Sequence, residues 1–177
     1  MKLHRIPILC MLLGAAAVAH GQGSLTVSLA PSSAPCTPSV VSAGTSNSCF
    51  AAEAINWDGY STATTPATAV AWLSKQLNNA STTLFMDMLR GKSIPELTIA
   101  YYAVKPGGTT FLAYSIEFEN VYVTAESSSA ETSGGPAGEY ISIAFQKIVI
   151  TYYPVNSDGA VGNPVIVTYD QTLHEVS

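Results

Sequence analysis

Histidine, cysteine and charge are all scarce in this chain. It has three histidines, three cysteines and only 11% charged residues in 177. Each shortage excludes something. His4 and His20 lie in the first 21 residues, so only His174, beside the C-terminus, remains for any chemistry in the rest of the chain. A nucleophile, base and orienting group have little raw material there, and His174 reads as a solvated tail residue. Cys36 and Cys49 without a neighbouring histidine are too few ligands for zinc. Basic residues number 7 against 12 acidic ones, and an acidic surface repels a phosphate backbone, which argues against a nucleic-acid partner. No P-loop, GxGxxG, HExxH or CxxC pattern occurs. The chain therefore offers no catalytic residue, no metal site and no cofactor motif.

The remaining chemical candidates have bland readings beside them. Glu117 and Glu119 fall on one side of one strand, adjacent rather than across a cleft as a glycosidase needs, and read as an exposed strand face. Tyr101, Tyr102, Tyr114, Tyr122, Tyr140, Tyr152 and Tyr153 offer an aromatic ligand platform or, more simply, strand and interface packing. Gly107-Gly108 and Gly134-Gly135 need only the permissive turn backbone of glycine. Asn79-Ala80-Ser81 matches a glycosylation sequon but overlaps a helix cap.

What is present begins with the N-terminus. Met1 to Arg5 is short and basic, and Ile6 to Ala19 is an apolar run followed by small-residue cleavage options, Ala17-Val18-Ala19 or Ala19-His20-Gly21. This is the pattern of a secretory signal peptide over 1–21, and it is shorter than a spanning helix needs. Cleavage near Gly21 removes Lys2 and Arg5, leaving 5 bases against 12 acids, a net charge of −7. The mature chain is expected to be secreted or periplasmic, one domain over 22–177, with no further membrane span. In an exported chain, Cys36 and Cys49 read as a disulfide closing a polar loop.

The body of the chain reads as β. Ser24–Ala30 alternates. Residues 31–49 read as a loop, and Cys49–Ser61 as a second strand with a turn signal at Asp58-Gly59. Thr64–Asn79 carries both helical spacing (Val70, Leu73, Leu77) and strand-like neighbours. Ser81–Gly91 is a short helix. Ser81 or Thr82 caps it, Leu84/Met88 and Phe85/Leu89 form two apolar columns, Arg90 lies in the last turn and Gly91 at C′. Strands follow at Pro95–Val104 and from Phe111, where the buried phase shifts at Asn120 from Ile116 and Phe118 to Val121 and Val123. The segment from Glu139 repeats the shift between Ile141, Ile143, Phe145 and Ile148, Ile150, Tyr152. Such a shift marks a bulge and a curving sheet. Residues 126–138 and 156–164 read as loops, and Pro164–Asp170 as the last strand. The fold class expected is mainly β, a small antiparallel β-barrel with one short α-helix.

The order of these pieces resembles the tube protein of type VI secretion systems, the haemolysin-coregulated protein (Hcp) family. Ser74-Lys75 and Asn78-Asn79-Ala80-Ser81 stand where that family has a Thr-Lys-like pair and an Asp-x-Ala-Ser/Thr-Pro cap. Arg90-Gly91-Lys92 fits the helix exit. Phe145-Gln146-Lys147-Ile148-Val149-Ile150-Thr151-Tyr152-Tyr153-Pro154 fits the last long strand, and Asp158-Gly159 the turn after it. The resemblance covers about Ala71 to Thr168 and implies strand for Ala71–Leu77. It implies a non-catalytic structural protein that self-associates into hexameric rings, with effectors or other secreted proteins as partners. Three features depart from the family: the signal peptide, the longer cysteine-bearing segment near the N-terminus, and a C-terminus without the family's Gly-Trp pattern. A monomeric secreted module holding a glycan or protein with loops 31–49 and 126–138 is the alternative.

Overall fold

A computed structural model describes residues 23–29, 36–43, 48–62, 65–105, 107–130, 137–156 and 159–177. The expected signal peptide at 1–21, Gly134-Gly135 and parts of the 31–49 segment lie outside the described residues. In chain order the elements are β1 (Ser24–Ser28), α1 (Pro38–Ala43), β2 (Cys49–Ala52), β3 (Ala54–Thr62), β4 (Thr65–Gln76), α2 (Asn79–Arg90), β5 (Ile94–Val104), β6 (Thr110–Ser129), β7 (Gly138–Ala144), β8 (Lys147–Tyr152), β9 (Val165–Asp170) and β10 (Glu175–Val176).

The strands make one antiparallel sheet organised around β6, which is 20 residues long. One edge of β6 pairs with β5, which continues to β1 and β2. Its other edge serves two strands end to end. Residues 114–119 pair with β8, and residues 122–129 with β7. Beyond β7 lie β4 and β3; beyond β8 lie β9 and β10. The fork falls at Asn120, whose φ of 52° bends the strand. The core set shifts there from Ile116 and Phe118 to Val121 and Val123, all buried, as the apolar phase in the sequence requires. Opposite the bend, Phe145 and Gln146 separate β7 from β8.

The expected closed barrel is not formed; the sheet is open. Its ladders stop at β2 and β3, which meet end to end at Glu53 rather than pairing, with the Glu53 amide donating to the Ser74 carbonyl at 2.8 Å. Among the described residues, β8, β9 and β10 leave the fork as a wing that pairs with no further strand; the Gln171 side chain at its end bonds the Ala69 backbone of β4. The expectation of one helix also needs correction: α1 occupies part of the segment read as loop. Its first turn closes on the Thr37 carbonyl, which accepts from the amides of Val40 and Val41. Asp58-Gly59 does not turn the chain, because β3 runs through it to Thr62 while paired with β4. The ambiguous Thr64–Asn79 segment is strand for most of its length. Ala71, Leu73 and Lys75 face inward and Val70, Trp72 and Gln76 outward, a period of two.

One apolar cluster fills the space under the curved sheet. Val27, Phe50, Leu73, Leu97, Ile99, Ile116, Phe118, Ile141, Ile143 and Ile148 meet there, with Leu84 of α2. Phe118 and Phe145 pack with ring centroids 4.7 Å apart, bracing the fork.

Candidate functional site

The helix α2 is seated by its caps. Its N-cap is Asn78, not Ser81 or Thr82. The Asn78 backbone is extended at φ −152°, and its side-chain oxygen accepts from the Ala80 amide at 2.9 Å. Ser81 takes the other half of the capping box, its Oγ accepting from the Asn78 amide at 3.0 Å. At the far end Gly91 adopts φ 59°, and Lys92 donates to the Asp87 carbonyl at 2.9 Å, the αL exit that glycine permits. Of the two apolar columns, Leu84 with Met88 packs on the core, whereas Phe85 and Leu89 point away from it. One side of a 12-residue helix satisfies the sheet, and the other is left for something else.

Beneath the N-terminus of α2 lies a buried polar network that sequence reasoning did not single out. Lys75 of β4 and Glu139 of β7 are both fully buried and form an ion pair between Nζ and Oε2. Nζ also donates to Ser81 Oγ at 2.7 Å, Asn78 Oδ1 at 3.2 Å and the Gln76 carbonyl at 3.2 Å. Ser81 Oγ donates in turn to Glu139 Oε2 at 2.7 Å. The Phe50 ring sits 5.2 Å from Nζ. Glu126 of β6 adds a second carboxyl. Burial, then its hydrogen bond and charge contact with Glu139, push it up to about 7. Burial works to raise Glu139 too, but hydrogen bonds from Lys75, Glu126 and Ser81 hold it below its ordinary value. A lysine and a glutamate at inward strand positions break the apolar alternation. The resemblance that put Lys75 and Ser81 in one motif was the available signal.

Glu117 and Glu119 stand side by side on the outer face of β6, with Glu96 of β5 beside them. Glu119 pairs with Lys147 at 2.6 Å. Glu117 is raised, by burial first and then by Glu96 and Glu119. No groove separates these carboxylates, so they have no place for a sugar ring between them. His174 is exposed in the turn before β10. Tyr101, Tyr114 and Tyr152 share a register row, and Trp57 stacks on Tyr114 at 5.9 Å. Burial pushes the Tyr114 hydroxyl up to about 12. Tyr122 and Tyr140 lie elsewhere, on the outer faces of β6 and β7, so the tyrosines form no single platform. The sulfurs of Cys36 and Cys49 are bonded, with Cα atoms 5.9 Å apart. Thr26 Oγ1 donates to the Cys36 carbonyl at 2.6 Å, tying the bridge to β1.

Two apolar faces remain in water. One is the wing, where Val165, Ile166 and Val167 of β9 are 45–56% exposed on both faces of the strand, beside exposed Tyr152, Val155 and Val161. The far edge of β9 carries β10 at Tyr169 and Asp170, and Thr168 exchanges backbone hydrogen bonds with Ser177. The other face is Phe85, Met86 and Leu89 of α2, with Leu77 before it. Exposed apolar surface gathered in this way marks an association surface. Among the described residues no group of His, Cys, Asp and Glu could hold a metal ion, and no helix is long and apolar enough to cross a membrane.

Comparison with known proteins agrees with the fold. The sequence profile of the family described as "Type VI secretion system effector, Hcp" matches residues 54–152, more than half the chain. That stretch runs from the start of β3 to the end of β8, leaving the disulfide and the β9 wing outside it. No curated protein matches the sequence. A solved structure described as a type six secretion system protein superposes with a TM-score of 0.70 at 16% identity, covering 88% of this chain and 100% of the other. Hcp1 from Salmonella typhimurium gives 0.65 at 14% identity, covering 88% and 99%. A type VI secretion system effector from Yersinia pestis gives 0.54 at 20% identity, covering 67% and 82%. At these identities the structures speak for the fold.

Proposed function

The chain belongs to the Hcp family of type VI secretion proteins, and from that premise we propose that it is an exported, non-catalytic structural subunit that associates head to tail into a closed ring. The observation that carries this reading is the pair of unlike apolar faces, the β9 wing and the outer side of α2. A head-to-tail contact joins two different patches of one protomer, and a rotation that closes gives a ring. Docking on the wing would also cover the free edge of β9, which otherwise invites uncontrolled strand pairing. The ring is hexameric, as the family resemblance implies, and its opening receives other secreted proteins.

Export is part of the same proposal. The basic and then apolar N-terminus supports cleavage near Gly21, and the Cys36–Cys49 bridge suits an oxidising compartment. The intact mass of the protein recovered from outside the cytoplasm checks the cleavage. Native mass spectrometry of the mature chain, compared with Ile166→Lys, tests the ring. Ile166 is 56% exposed, so its replacement should leave the fold intact and release monomers. A wild-type chain that stays monomeric at high concentration would overturn the ring and favour a binding module.

A further inference from the structure

Two oxygens in the buried network have no donor: Glu139 Oε1 and Glu126 Oε2. The atoms around them are well supplied. Glu139 Oε2 receives both Lys75 Nζ and Ser81 Oγ. Ser81 Oγ also accepts from the Asn78 amide, and Nζ reaches Asn78 and Gln76 as well. An unsatisfied buried acceptor is costly, and here there are two, on carboxyl groups that are diagonal neighbours across the β6–β7 ladder, where Glu126 stands opposite Ile141 and Ser128 opposite Glu139. Two ionised carboxylates cannot share such a site. One proton between them supplies the missing donor and removes the repulsion at once.

We propose that Glu126 and Glu139 share a single proton, and that losing it to solvent loosens the seam where the N-terminus of α2 meets the β6–β7 ladder. Glu126 is the carboxyl that carries the proton, because Glu139 is committed to Lys75. The charged groups acting on Glu126 are Glu139 from β7 and Lys75 from β4. It lines a cavity of about 280 Å³ together with the uncharged Ser81, Thr82 and Phe85 of α2 and Ser128 of its own strand. Leu77 completes that wall. With Glu126 neutral, Lys75 and Glu139 cancel. With Glu126 ionised, two carboxylates face one ammonium, and the second has no counter-charge in reach. The relief is for the Glu126 strand end and the capped helix turn to part and let water in.

The direction with pH follows from the raised acid. Folded Glu126 holds its proton more tightly than the unfolded chain, whose ordinary value is 4.5. Stability therefore falls as pH climbs from that value, and levels off above about 7, where the folded form also ionises. The seam is closed on the acidic side of neutrality and loosened on the alkaline side.

The test is amide hydrogen exchange on the mature chain at pH 6 and pH 8, corrected for intrinsic rates, with Glu126→Gln beside wild type. Glutamine keeps a donor toward Glu139 and cannot ionise. Wild type should lose up to about tenfold protection over residues 79–84 and 125–129 at pH 8, and the variant should lose none. Equal wild-type protection at both pH values overturns the proposal, as does a variant that keeps the response. Should Glu126→Gln fail to fold, carbon-13 titration of the wild-type glutamate carboxyls decides. One carboxyl titrating near neutrality supports the shared proton, and all of them titrating in the ordinary range refutes it.

Discussion

Lys75→Met is the most informative single change, because it removes a charge that the fold has already paid to desolvate. The methionine chain can follow the lysine stem, so packing against Phe50 is kept. Lost are the ion pair with Glu139 and the hydrogen bonds to Ser81, Asn78 and the Gln76 carbonyl. Left behind is Glu139, 1% exposed, with an uncompensated charge. Breaking a buried pair from one side costs about 3–5 kcal/mol. In a chain of this size each kcal/mol moves the melting temperature by about 2–4 °C, so the fall is about 6–20 °C. Adding Glu139→Gln to the same chain removes the stranded charge, so the double variant should be more stable than Lys75→Met alone. Urea unfolding followed by tryptophan fluorescence measures all four corners of the cycle, with Trp72 on β4 as a nearby reporter. A Lys75→Met cost below about 1 kcal/mol, or single costs that simply add in the double variant, would refute the buried pair as the anchor of α2.

Four other outcomes follow from the same structure. Leu84, 2% exposed, should cost about 2–5 kcal/mol on replacement by alanine. Leu89→Ala, at a site 63% exposed on the other side of the helix, should stay within about 0.5 kcal/mol when the dissociated monomer is unfolded in the same denaturation assay. Gly91→Ala meets no atom within 4 Å but must hold φ 59°, so a loss of about 1 kcal/mol by thermal melting is expected, from backbone strain alone. Reducing Cys36–Cys49, which closes a loop of 13 residues in sequence separation, should cost about 3 kcal/mol, read as a lower urea midpoint in dithiothreitol; an unchanged midpoint means that the bridge does not constrain the unfolded chain.

Much of the fold was legible because period and polarity act locally. Leu25 and Val27, Ile116 and Phe118, and Ile141 and Ile143 alternate in the sequence and lie on the inward side of their strands. The phase shift at Asn120 announced the bend, since a buried face cannot change sides without one. The helix was legible for the same reason, though its start was placed three residues late, because Asn78 and Ser81 both offer a capping oxygen. Thr64–Asn79 was not decided by its own residues. Val70, Leu73 and Leu77 fit a helix, and only pairing with β3 on one side and β7 on the other selects strand. The buried network was the least legible feature. Lys75 and Glu139 are 64 residues apart, and each alone resembles an exposed strand residue. Their burial follows from the adjacency of β4 and β7, which places Lys75 opposite Glu139 in register.

The sequence alone determined the class of the protein: mainly β, one amphipathic capped helix, sparse charge and no catalytic pattern. Those properties arise from residues within a few positions of one another, through side-chain alternation and helix capping. Tertiary structure decided what the long range controls. It left the sheet open where a barrel was expected, because β2 and β3, at the two ends of the ladders, meet at Glu53 without pairing. It divided the helix into a core face and a bare one, and it brought Lys75, Ser81, Glu126 and Glu139 from four elements into one polar cluster. Local pattern carries no information about which strand lies beside which. Hydrogen-bond register supplies it, and with it come the unlike apolar faces and the unsatisfied carboxyl pair.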